Sequence, residues 1–90
     1  MAIIKVTYLL RSYIGGNSQI RVDGTTVAEV MQSMVIAYPS FRPHLYKSDG
    51  TLRAHINLFI RGEHIRDLQG LDTEVVSDDV IDLVPSIAGG

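Results

Sequence analysis

Only one stretch of this ninety-residue chain repeats its apolar residues at helical spacing, and segments that alternate apolar and polar residues flank it on both sides. Val27, Val30, Met31, Met34 and Tyr38 fall on one stripe of a helix with 3.6 residues per turn. Thr26-Val27-Ala28-Glu29, at its start, has the form of a capping box, in which the threonine hydroxyl and the glutamate each satisfy a free backbone N–H. Pro39 disfavours helix at the residue before it and ends the segment. The spacing therefore predicts a helix over residues 27–38. A methionine stripe can contact a cofactor, but at this periodicity it reads as the core side of an amphipathic helix.

The flanking segments read as strands. Ile3–Leu10 is rich in β-branched and aromatic residues, and its alternation puts Ile4, Val6, Tyr8 and Leu10 on one face and Lys5, Thr7 and Leu9 on the other. Gly15-Gly16-Asn17-Ser18 is a turn cluster, after which Ser18–Asp23 alternates again with Ile20 and Val22 inward. These two strands form an opening hairpin whose turn is lengthened by Arg11–Tyr13. Residues 40–53 are polar, with Pro43 and an Asp49-Gly50 turn, and Leu45 and Tyr46 are expected to tuck a short helical turn under the sheet. His55–Arg61 is a further strand with Ile56, Leu58 and Ile60 on one face and His55, Asn57 and Phe59 on the other. Arg61-Gly62-Glu63 turns the chain into a short return at His64–Arg66, and Leu68, Leu71 and Val75 punctuate a loop around Gly70. Val80–Val84, with Ile81 and Leu83 inward, is the last strand, closed by Pro85.

A hairpin, one helix and more strands suit an α+β fold with the helix packed on one face of a mixed sheet of four to five strands. The simplest arrangement returns the last strand beside the first, which is the β-grasp, or ubiquitin-like, roll. The expectation is a single domain over residues 1–85 and a flexible tail over residues 86–90.

Composition narrows the function. Eight Lys+Arg against ten Asp+Glu give a net charge of −2, which removes the main electrostatic reason to expect a nucleic-acid partner. Without cysteine there is no disulfide, thiolate zinc site or cysteine nucleophile. The apolar runs fall far short of the ~20 residues needed to span a bilayer. Lys5 interrupts the apolar N-terminus and no small-residue cleavage site follows, so the reading is a small, soluble, cytoplasmic protein without a signal peptide.

Catalytic signatures are missing too. There is no nucleophile elbow, Walker A sequence, dinucleotide fingerprint or H-E-x-x-H. His44, His55 and His64 lack the short spacing of zinc ligands, so no metal is expected. Asp78-Asp79 reads as a solvated turn, because adjacent side chains diverge, and Gly15-Gly16 reads as a hairpin turn, because no helix starts after it to bind an anion. What stands out is the end of the chain. Gly89-Gly90 follows a core strand, with Pro85 as a stiff exit. Five residues beyond Pro85 reach about 16–18 Å when extended. Neither glycine has a Cβ, so both can pass a narrow channel. The terminal carboxylate is an anionic oxygen nucleophile at neutral pH, which a partner enzyme could activate with ATP and pass on to sulfide or to an amine.

Tyr38-Pro39-Ser40-Phe41-Arg42, Asp49-Gly50-Thr51-Leu52-Arg53, Ile56-Asn57-Leu58-Phe59-Ile60, Asp67-Leu68-Gln69-Gly70-Leu71-Asp72-Thr73 and Val84-Pro85-Ser86-Ile87-Ala88-Gly89-Gly90 together resemble the MoaD/ThiS family of ubiquitin-like sulfur carriers. The resemblance spans nearly the whole chain, and its specific part is the ending Pro-x-x-Ala-Gly-Gly in register with a last strand. Arg61-Gly62 and Asp78-Asp79 depart from the family's usual Asn-Gly and Gly-Asp, both at turns. The resemblance implies that an E1-like enzyme adenylates the carboxylate of Gly90 and that sulfur displaces AMP to leave a thiocarboxylate. The carrier binds no cofactor of its own, the activating partner uses the ATP, and the catalytic residues belong to the partners. The acceptor it implies first is the large subunit of molybdopterin synthase, in molybdenum cofactor biosynthesis. Gly15-Gly16 and Leu9-Leu10-Arg11 also look like carriers that feed cysteine synthesis, and thiamine synthesis and a ubiquitin-like modifier that joins lysines stay open. So does a plain interaction module whose Gly-Gly is incidental.

The family's sheet order, with the first, last and third strands side by side, adds a docking patch. Leu9, Val84 and Phe59 are expected to meet on the face away from the helix, beside a tail in which Pro85, Ile87, Ala88 and Gly89 contact the partner and Gly90 reacts.

Overall fold

The computed structural model describes residues 1–86. β1 (Ala2–Val6) pairs antiparallel with β2 (Gln19–Val22), Ile4 standing opposite Ile20 and Ala2 opposite Val22. α1 (Val27–Ala37) follows, and its buried side is Val27, Val30, Met31, Met34 and Val35. The helix starts as its sequence dictates, with one shift. Thr26 Oγ1 accepts from the Glu29 N–H, but the Glu29 carboxylate reaches back one residue further, accepting from both the N–H and the hydroxyl of Thr25.

After α1 the chain makes a 3-10 turn at Pro39–Phe41 and a short helix, α2 (Arg42–Leu45), which carry Phe41, Leu45 and the following Tyr46 into the core. β3 (Ile56–Ile60) then enters the sheet. Arg61 and Gly62, both with positive φ (52° and 80°), form the two-residue turn to β4 (Glu63–His64). Further 3-10 turns at Ile65–Asp67 and Gly70–Asp72 lead to β5 (Val80–Pro85). The order across the sheet is β2-β1-β5-β3-β4, with β5 parallel to β1 and antiparallel to β3. This is the β-grasp roll.

Alternation sets the core. Ile4 and Val6 from β1, Leu58 and Ile60 from β3, and Ile81 and Leu83 from β5 all face α1 and are buried. Each such side chain is worth about 1.5–3 kcal/mol against exposure.

The first strand departs from its sequence expectation. It stops at Val6, and Tyr8–Ile14 coils into a 3-10 helix, so Tyr8 is 81% exposed instead of inward and Leu10 is half-buried. The coil shortens the path that brings Ile14 into the core. It is held by Arg11 Nε on the Val6 carbonyl (3.0 Å), by Leu10 N–H on Thr7 O, and by Gly16 N–H on Arg11 O. Gly15 and Gly16 close it with φ of 68° and 83°. Tyr13 stacks on Phe41 with ring centroids 5.3 Å apart. The return strand is also shorter than expected, because the chain bends at His64 to bury Ile65.

Candidate functional site

With α1 covering one face, the other presents Ile3 and Lys5 from β1, Val80, Asp82 and Val84 from β5, Asn57 and Phe59 from β3, and His64 from β4. The register arranges them in rows. Lys5 is level with Asp82, Asp82 with Phe59, and Phe59 with His64, while Val84 is level with Asn57. Phe59 is half-buried and stands edge-on to the His64 ring, with centroids 5.0 Å apart and planes at 74°.

Two of the three expected patch residues share this face. Phe59 and Val84 lie diagonally across the β3–β5 seam. Leu9 does not join them on the sheet. β1 ends at Val6, level with Leu83, so it has no residue beside Val84, and Leu9 lies further on in the 3-10 coil, 71% exposed. The face is also less apolar than a Leu9–Val84–Phe59 cluster would be, since Asp82 sits in the row between Lys5 and Phe59.

The exit of β5 is tied down by polar contacts. Pro85 still pairs with Ile56, and the Ser86 N–H donates to the His55 carbonyl at 2.6 Å. Asn57 Nδ2 donates to Ser86 Oγ at 2.6 Å, and His64 Nε2 lies 3.0 Å from Asn57 Oδ1. On the other side of the imidazole, the Arg66 N–H donates to His64 Nδ1 at 3.1 Å. Sequence reading put Asn57 on the outward face but gave neither it nor His64 a role. Their meeting depends on strand pairing, and the available signal was the two-residue Arg61-Gly62 turn, which sets Phe59 level with His64. The expected tail residues Ile87, Ala88, Gly89 and Gly90 lie outside the described residues.

The remaining candidates have structural work. Asp78 and Asp79 diverge as expected: Asp79 turns inward to pair with Arg61 and to accept from the Val76 N–H, while Asp78 faces Arg21 at 4.0 Å. His44 packs on Tyr13, with centroids 4.1 Å apart. Groups held away from their ordinary titration range lie off the outward face. Hydrogen bonds from Thr25 hold Glu29 low, those from Thr51 hold Asp49 low, and burial pushes the Tyr46 phenol up against a smaller opposing effect of Arg42.

A β-grasp sheet leading a tethered β5 toward a Gly-Gly ending matches a known family: the ThiS family model covers residues 5–90. The chain belongs to the ThiS family. This ThiS-family chain is 26% identical to the sulfur carrier protein CysO of Mycobacterium tuberculosis over 89 residues, 97% of this chain and 96% of that protein. Among solved structures it resembles a chain of the BexX/CysO complex of Amycolatopsis orientalis, with a TM-score of 0.89, 27% identity and full coverage of both chains. It also resembles small archaeal modifier protein 1 of Haloferax volcanii, with a TM-score of 0.80 and 27% identity over 99% of this chain and 98% of that one. The ThiS-family fold therefore groups with ubiquitin-like sulfur carriers and modifiers.

Proposed function

We propose that the chain is a cytoplasmic sulfur carrier that reacts at Gly90. An oxygen of the Gly90 carboxylate attacks the α-phosphorus of ATP on an E1-like partner and expels pyrophosphate. A sulfur nucleophile then adds to the acyl-adenylate and expels AMP, leaving a thiocarboxylate for an acceptor enzyme. Adenylation supplies the leaving group that a carboxylate lacks, so the carrier needs no base or metal of its own. The single observation that carries this reading is the family match, which runs from residue 5 through residue 90.

Phe59 and Val84 lie on the outward face and Pro85 ends β5 level with inward-facing Ile56; we assign all three to partner docking, with Leu9 at its margin. As acceptor we favour an enzyme of the kind CysO proteins serve over the large subunit of molybdopterin synthase, since full-length likeness to CysO supports the former. The likeness to an archaeal modifier supports a second use of the same end, in which the activated glycine is captured by lysine amines.

Intact mass spectrometry after incubation with an activating enzyme, ATP and sulfide tests both readings. A carrier gains the mass difference of sulfur for oxygen at Gly90. A modifier appears instead as higher-mass conjugates. If no adenylate, thiocarboxylate or conjugate forms at Gly90, Gly90 is not the reacting group.

A further inference from the structure

The contacts at the β5 exit form a directed chain whose polarity can be worked out atom by atom. A backbone N–H only donates, so the Arg66 N–H requires a bare lone pair on His64 Nδ1. A neutral imidazole with Nδ1 bare carries its proton on Nε2, which must therefore donate to Asn57 Oδ1. That fixes the Asn57 amide, since the flipped orientation would set its NH2 against the Nε2–H. The amide nitrogen is left facing Ser86 Oγ at 2.6 Å, with the His55 carbonyl at 3.5 Å as a weaker second acceptor. The orientation at Ser86 is thus dictated from Arg66, on the far side of the turn.

We propose that Asn57, oriented by neutral His64, is a positioning residue that clamps the chain at Ser86 and sets the line along which the following residues leave the domain. Its use in sulfur transfer rests on the carrier reading above. The contact from the Arg66 N–H requires a bare Nδ1, so the orientation of Asn57 holds with the Nε2–H form of the ring. Its surroundings are mixed in charge. Glu63 on β4 and Arg66 and Asp67 on the following 3-10 turn line the same depression as His64, together with uncharged Asn57 and Phe59 of β3, and Asp82 of β5 lies one strand away, level with Phe59. None of the carboxylates among the described residues is hydrogen-bonded to the imidazole.

Nuclear magnetic resonance of the full chain tests the clamp without any partner. The imidazole 15N shifts should report the Nε2–H form, and the Ser86 amide should be protected from hydrogen exchange. Asn57→Ala should make that exchange fast. Asn57→Asp should restore protection, because the Ser86 hydroxyl can turn round and donate to the carboxylate. With the activating enzyme, Asn57→Ala should raise KM for the carrier about three- to tenfold with kcat held, as expected when a bound conformation is only fractionally populated. A bare Nε2, or Ser86 protection left unchanged by Asn57→Ala, overturns the clamp. Loss of protection without a change in KM overturns its positioning role. If the unaltered chain is never thiocarboxylated, the carrier reading fails, and the clamp is still decided by exchange and tautomer.

Discussion

Replacing Phe59 tests whether the outward face docks a partner, and the register decides which replacement is informative. Phe59→Asp would set a new carboxylate level with Asp82, and like charges directly opposite weaken a sheet by themselves. Phe59→Thr keeps a strand-forming residue and removes only the ring. A fully buried Phe is worth about 1.5–3 kcal/mol, so half burial contributes about 1 kcal/mol. The edge-on contact with His64 adds about 0.5–1 kcal/mol. The variant should therefore unfold about 1–2 kcal/mol more easily and stay folded at 25 °C, which for a domain of this size lowers Tm by roughly 4–16 °C. If Phe59 is a central docking residue, losing it costs more than about 1 kcal/mol of binding, or roughly a fivefold or greater rise in KM for the activating enzyme. Thermal unfolding and steady-state kinetics on the same preparation separate the two effects. Ile36→Gln is the control, since Ile36 is 77% exposed on the helix side. A Phe59→Thr protein that loses the expected stability yet keeps its KM refutes the docking assignment, and one that keeps its full stability refutes the packing on which the magnitude rests.

Three further outcomes concern the frame. Gly24→Ala would place a Cβ 2.7 Å from both the backbone nitrogen and Cγ2 of Val30, so urea unfolding should show a loss of about 1–3 kcal/mol. Asp78 has φ of 69° and only an exposed, 4.0 Å pairing with Arg21, so Asp78→Gly should raise stability by about 1 kcal/mol in the same assay. Because the folded pKa of Glu29 lies below its ordinary 4.5, its stabilisation is complete above that value and is lost as the pH falls through the folded pKa. The stability gap between the native chain and Glu29→Gln, followed by denaturation at several pH values, should accordingly narrow below pH 4.5.

What the sequence revealed was what neighbouring residues settle among themselves. The stripe from Val27 to Met34 and its threonine cap are local, and they specify α1 wherever the helix docks. Alternation likewise marked Ile81, Leu83, Leu58 and Ile60 as inward. It misled at Tyr8 and Leu10, where the apolar pattern continues but the backbone leaves the strand, because burying Ile14 and stacking Tyr13 on Phe41 are tertiary contacts with no local signature. The outward face was half visible for the same reason. Phe59 and Val84 read as outward from their own strands, whereas Asp82 between Lys5 and Phe59 follows only from pairing across three strands. The Asn57–His64–Ser86 chain needs both the β3–β4 and the β3–β5 registers.

The sheet order bears directly on how such a chain can offer its end to another protein. β5 is the central strand and is paired on both sides, with β1 up to Leu83 and with β3 to its end at Pro85. On the carrier reading proposed above, a partner that draws on the end of the chain pulls along this strand and loads two ladders together, with Ile81 and Leu83 anchored beneath α1. An edge strand such as β2 or β4 has only one neighbour and would peel. Beyond Leu83 the support becomes one-sided, since β1 has already turned away at Val6 and Val84 and Pro85 pair only with β3. That short segment can lift from the sheet at the cost of a few hydrogen bonds and without opening the core, lengthening the reach by about 3.3 Å per residue freed. The polar contacts at Ser86 lie at the end of this weakly held stretch, where a modest interaction decides whether the exit is fixed or free. The core and the end of β5 are thus stabilised separately, so that Val84 and Pro85 can be freed while Ile81 and Leu83 keep the fold beneath them intact.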